Sequence, residues 1–123
     1  MDISTQELKN VELITVKGRV DSVEAEWLAK ALGSASRRGK HKIVVDMSQV
    51  EYMSSAGFRA LADAQRSSRH HQRGEVVLAS VPPRIHEALE MVGFTSYFHI
   101  EETVSLALAF AERPPESDSA STP

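Results

Sequence analysis

Two short stretches constrain the fold most strongly. Ile43-Val44-Val45 and Val76-Val77-Leu78-Ala79 are continuous apolar runs, without the alternation of a half-solvated strand. A strand buried on both faces reads this way, and such strands belong to sheets covered by helices. The text around them supplies the helices. Val23, Trp27, Leu28, Ala31, Leu32 and Ala35 recur at helical spacing behind Asp21-Ser22, which has N-cap chemistry. Glu24 and Glu26 sit in the first turn, where the helix dipole favours acid. A helix over 23–36 is predicted, with Trp27 in the core. Arg37-Arg38-Gly39-Lys40 then reads as its solvated basic end.

The other elements follow by the same logic. Val11 to Lys17 is rich in β-branched residues and predicts a strand ended by Gly18. Ile3 to Leu8 predicts a weaker partner strand, with Lys9-Asn10 as the hairpin turn. The strand containing Ile43 is expected to end at Asp46, followed by a packed connection over 48–53. Asp46 either braces that connection or touches a partner. Ser54-Ser55-Ala56-Gly57 precedes a second predicted helix, which runs to about Ser68 with Phe58, Leu61, Ala62 and Gln65 on one face. Glu75 to Val81 predicts a strand, and Pro82-Pro83 opens a third helix. Ile85, Ala88, Leu89 and Val92 form the stripe of that helix, and Gly93 its stop. Tyr97 to Ile100 is a short strand or extended piece, and Glu101-Glu102-Thr103 caps a last helix with Val104, Ala107, Leu108 and Ala111 inward.

The resulting order, β-β-α-β-α-β-α-β-α, predicts an α/β fold. It has a mixed β-sheet of four to five strands with helices packed mainly on one face. With 123 residues there is room for one domain. Residues 113–123 contain no large apolar side chain and are expected to form a disordered polar tail beyond a domain over 1–112.

Composition mainly excludes. Zero cysteines removes disulfides, thiolate metal sites and thiol catalysis. A formal net charge of −3 offers no general attraction to nucleic acid. Leu106 to Ala111, six residues, is the longest apolar stretch, whereas a membrane span needs about 20. A cytoplasmic protein with no direct nucleic-acid or membrane contact is expected. His70-His71 point to different sides of a helix end and suggest no metal site. There is no phosphate-binding glycine loop and no Gly-x-Ser-x-Gly elbow. Nothing in the spacing of Ser, His and Asp recommends a triad.

The informative place is the junction from Asp46 to Gly57. A buried strand ends and two serines stand where a helix begins. Ligands and chemistry gather at the carboxyl ends of strands in such sheets. Helix N-termini also present unpaired N–H groups and a positive dipole end. The plainer alternative is that a serine here serves only as the N-cap.

The run Val44-Val45-Asp46-Met47-Ser48-Gln49-Val50-Glu51-Tyr52-Met53-Ser54-Ser55-Ala56-Gly57-Phe58-Arg59-Ala60-Leu61 resembles the STAS domains, and most of all the anti-sigma factor antagonists of bacteria. Gly18-Arg19-Val20-Asp21 resembles a second family segment, and the element order matches from about residue 3 to 112. The resemblance implies a phosphorylatable switch without catalytic activity, cofactor or metal of its own. The unphosphorylated form would bind an anti-sigma factor serine kinase. Phosphorylation on Ser55 would release it, and a PP2C-type serine phosphatase would reset it. Ser54 is the second choice of acceptor. Asp21, Ser54, Gly57, Phe58 and Arg59 are the implied partner-binding residues. Three positions depart from the family pattern. Ser54 replaces an aspartate, Ala56 a hydroxyl residue, and Arg59 a glycine. The same resemblance allows a non-switching STAS scaffold subunit of a stress-sensing or lipid-transport assembly. An enzyme or nucleotide-binding protein at the junction is a third reading, for which no base, metal set or phosphate loop is present.

Overall fold

The computed structural model describes residues 1–71 and 74–113. The expected tail therefore lies outside the described residues, apart from Arg113. Among the described residues there are five strands and four helices: β1 (Asp2–Leu8), β2 (Val11–Val20), α1 (Ser22–Arg37), β3 (Lys42–Met53), α2 (Ser55–Arg69), β4 (Glu75–Ala79), α3 (Pro83–Met91), β5 (His99–Glu101) and α4 (Val104–Ala111). The sheet order is β1-β2-β3-β4-β5. The β1–β2 pair is antiparallel and the other three pairs are parallel, so the sheet is mixed as expected.

Strand order equal to chain order decides where the helices go. Right-handed crossovers in a sheet that grows in one direction place every connecting helix on the same face. Leu28, Leu32, Phe58, Leu61, Ile85 and Leu89 from α1, α2 and α3 accordingly share one core with Ile14, Ile43, Val45 and Leu78 of the sheet. Only α4, which follows the last strand, folds back to the other side. There Ala107 and Ala111 cover Val11, Val44, Val77 and Ala79. The all-apolar runs of β3 and β4 thus face two cores, which accounts for their missing alternation.

Four expectations need correction. First, β2 does not end at Gly18 but continues to Val20, with Gly18 inside the strand at φ +91°, a conformation favourable only to glycine. Second, residues 48–53 are not a connection but the continuation of β3. The ladder pairs Thr15 with Asp46 but Lys17 with Gln49, then Gly18 with Val50 but Arg19 with Tyr52. Each step gives β3 one extra residue, a pair of bulges. The buried residues Met47, Val50 and Met53 therefore fall at spacing three, which disguises a strand. Asp46 braces the first bulge by accepting the Ser48 N–H at 3.0 Å. Third, Trp27 is 58% exposed and Val23 63% exposed, so neither belongs to the core. Fourth, β4 stops at Ala79, and Val92 lies exposed just past α3.

Candidate functional site

β2 and β3 run parallel and end side by side, with Val20 opposite Met53. Each strand passes directly into a helix, so two helix N-termini open on the same edge of the sheet. Asp21 caps α1, its carboxylate accepting the N–H groups of Val23 at 3.2 Å and Glu24 at 3.4 Å. Ser54 caps α2, its hydroxyl accepting the Gly57 N–H at 3.3 Å. The Ser54 N–H donates to the Val20 carbonyl at 2.8 Å. That bond links the two caps and carries the ladder one residue past the last strand pair.

The two serines are therefore not equivalent. Ser54 is half-buried and its hydroxyl is engaged by the helix end. Ser55 is the first residue of α2, is exposed, and its hydroxyl has no hydrogen-bond partner among the described residues. A preferred N-cap and an accessible nucleophilic oxygen stand next to each other, and the helix phase separates them. The backbone N–H groups of the first turn and the dipole end favour negative charge at this spot.

Gly57 and Phe58 hold the site rather than decorate it. A Cβ on Gly57 would stand 2.6 Å from Met53 Cγ and 3.2 Å from Val20 Cγ1. Only a residue without a side chain lets the first turn of α2 settle onto the two strand ends. Phe58 is 4% exposed and packs in the main core. What remains exposed of the implied partner-binding set is Asp21 and Arg59, with Ser54 half-covered between them.

Sequence reasoning did not foresee the groove along α2. It holds about 600 Å³ and runs between α2 and the segment after α3. Ser55, Arg59, Ala62 and Arg66 line one wall, and Phe94 and Tyr97 line the other. Gln65 holds the two walls together. It is fully buried, donates to the Tyr97 carbonyl at 2.9 Å, and accepts the Val76 N–H at 2.7 Å. A glutamine sharing the helix face of Phe58, Leu61 and Ala62 was the signal in the sequence. Among the described residues, no three His, Cys, Asp or Glu side chains are placed to hold a metal ion. No helix among them is long and apolar enough to cross a membrane.

Comparison with known proteins gives this geometry a context. BtrV of Bordetella bronchiseptica, provisionally named an anti-sigma factor antagonist, is 29% identical over 89% of this chain and 93% of its own. A solved anti-sigma factor antagonist from Mycobacterium paratuberculosis superposes with a TM-score of 0.82 at 21% identity, over 91% of this chain and 94% of that one. The Bacillus cell fate determinant SpoIIAA, in its phosphorylated form, superposes with a TM-score of 0.72 at 15% identity, over 90% of this chain and 100% of that one. At these identities the two structures speak for the fold. The STAS domain profile matches residues 2–107, taking in every strand, both capped helix starts and the groove. This chain belongs to the STAS domain family.

Proposed function

We propose that this protein is an anti-sigma factor antagonist working by partner switching, with Ser55 as the phosphoacceptor. The observation that carries the reading is the division of labour at the start of α2. Ser54 is engaged as the cap, while Ser55 offers an exposed, uncommitted hydroxyl beside the Asp21 cap of α1. A relative named as an anti-sigma factor antagonist, and a fold neighbour solved in a phosphorylated form, support it. In this reading Ser55 is a substrate group and not a catalytic one, and the protein performs no chemistry itself.

The mechanism needs little motion. The unmodified edge made by Asp21, Ser54, Ser55 and Arg59 docks against an anti-sigma factor serine kinase. That kinase transfers a phosphoryl group to Ser55. The product carries about −1.5 to −2 additional charges and three acceptor oxygens. The chain's formal charge of −3 thus changes by half or more at one point. The helix start tolerates the phosphate, but a surface packed closely over it does not, and Asp21 adds like-charge repulsion. Release follows from bulk and charge without refolding. A PP2C-type phosphatase restores the hydroxyl.

Binding measurements on the cognate kinase test this. Ser55→Ala is expected to bind as wild type does, and Ser55→Asp at least tenfold more weakly. Equal, tight binding by Ser55→Asp contradicts the switch.

A further inference from the structure

We infer that Arg59 is the intramolecular counter-ion of the phosphate on Ser55. The inference rests on the phosphoacceptor reading above and adds what holds the phosphate once it is there. Ser55 and Arg59 are four residues apart on α2, so their side chains rise as neighbours from consecutive turns. Both line the same groove wall. Arg59 is exposed and has no ion-pair partner among the described residues. Its situation differs from that of the cations around it. Arg66, further along the same wall, is held by Asp63 at 2.8 Å. Arg19, on the neighbouring strand end, lies over the Tyr52 ring at 4.5 Å.

The groups facing the phosphate can be named element by element. The α1 start contributes Asp21, which repels. The end of β3 carries exposed Glu51, and the end of β2 carries Arg19 over the Tyr52 ring. From α2 come the cation of Arg59 and the neutralised Asp63–Arg66 pair. The opposite groove wall, Val92, Gly93, Phe94, Ser96 and Tyr97, carries no charge. Arg59 is thus the uncommitted cation on the phosphate's own helix, and its planar fork can take two phosphate oxygens at once. The pair turns the phosphate along the groove, away from Asp21. It also removes Arg59 from any acidic surface that it contacts in the unmodified protein. Phosphorylation then has two effects at the edge, adding anionic bulk and withdrawing a cation. A phosphate held this way is also slower to be hydrolysed.

The test uses the full chain with phosphoserine installed at position 55 by genetic code expansion, so that no kinase is involved. The readout is ³¹P NMR titration at low salt, from pH 4.5 to 8, on the wild-type background and on Arg59→Gln, Arg59→Lys and the double variant Asp63→Asn/Arg66→Gln. A phosphoserine has its second pKa near about 6. Arg59 favours the dianion, so the wild-type midpoint is expected about 0.3 to 0.5 units below that of Arg59→Gln. Arg59→Lys is expected to recover part of the difference, and the double variant Asp63→Asn/Arg66→Gln, which removes the neutral pair whole, to leave the wild-type midpoint unchanged. A PP2C-type phosphatase is expected to act about two- to threefold faster on Arg59→Gln, by the same loss of the charge-assisted contact. Identical midpoints for wild type and Arg59→Gln overturn the inference, as does an effect of Asp63→Asn/Arg66→Gln equal to that of Arg59→Gln. Either result leaves Ser55 standing as a kinase target. Conversely, a kinase that modifies another residue overturns the switch reading whatever the titration shows.

Discussion

The two ends of the sheet treat polar groups in opposite ways. At the amino ends of the parallel strands, charges are spent on one another. Glu12, only 1% exposed, is gripped by both arms of Arg38, at 2.8 and 3.3 Å. That hydrogen-bonded carboxylate holds the Arg38 guanidinium above its ordinary range. Glu7 faces Arg38 at 3.6 Å and Lys40 at 3.7 Å, and Glu75 faces Arg113 at 3.8 Å and Arg69 at 4.0 Å. At the carboxyl ends, Asp21 and Ser54 spend their oxygens on helix N–H groups, while Ser55 and Arg59 are left over. One end pairs its charges to near neutrality and serves stability. The other keeps a hydroxyl and a cation uncommitted on a rigid base, which is what recognition by a second protein needs. The exposed ion pairs at the first end are individually weak. The buried Glu12 is the exception, because losing its partner strands a carboxylate away from water.

Substitutions can break this contrast, and the largest effect is expected at the neutral end. Arg38→Gln leaves Glu12 buried without its counter-ion and should give the greatest fall in melting temperature of the set, read by circular dichroism. Phosphorylation of Ser55 in the folded variant should be unaffected. A melt that matches wild type removes the proposed role of that end. Next comes Gly57→Ala, whose methyl group collides with Met53 and Val20. A loss of about 1–3 kcal/mol in urea unfolding is expected. The adjacent serines should then separate. Ser54→Ala is expected to cost about 1 kcal/mol as a lost cap, and Ser55→Ala to stay within about 0.5 kcal/mol as an exposed change. Equal costs would mean that the two hydroxyls share the capping role.

The smallest effect is a pH slope at the neutral end. His41 stacks on His71 with ring centroids 3.5 Å apart. Burial, and secondarily the charge of His71, push the His41 pKa below its usual value. The unfolded chain therefore binds that proton more readily than the folded one. The His41 contribution to stability is present above about pH 6.5 and declines as pH falls from there through the lowered folded value. Thermal melts between pH 7.5 and 5 should show this decline, and His41→Gln should flatten it. An unchanged slope in that variant assigns the decline to other groups.

The element order, the mixed sheet and the crowding of helices on one face were legible because two-sided strands and amphipathic helices leave periodic patterns. The second half of β3 was not, since two bulges shift its buried residues Met47, Val50 and Met53 out of alternation. Trp27 was misread because helical spacing shows which residues share a face, not whether a neighbour covers that face. In the candidate site, the Ser54–Ser55 pair and Asp21 stood out by type and position. Which serine caps the helix depends on where its first turn begins, and two identical neighbouring residues cannot encode that. The groove wall after α3 was invisible because it is assembled from residues far apart in sequence, through contacts such as that of Arg69 with Tyr97, 28 residues on.

The claim that the carboxyl end exists to be modified and read rests on one hydroxyl. Incubating the full-length protein with its cognate anti-sigma factor kinase and ATP, then mapping phosphate by mass spectrometry, tests it most directly. The account predicts a single phosphoryl group on Ser55, absent from Ser55→Ala and retained in Ser54→Ala. Phosphate on any other residue, or Ser55→Ala phosphorylated as fully as wild type, contradicts it.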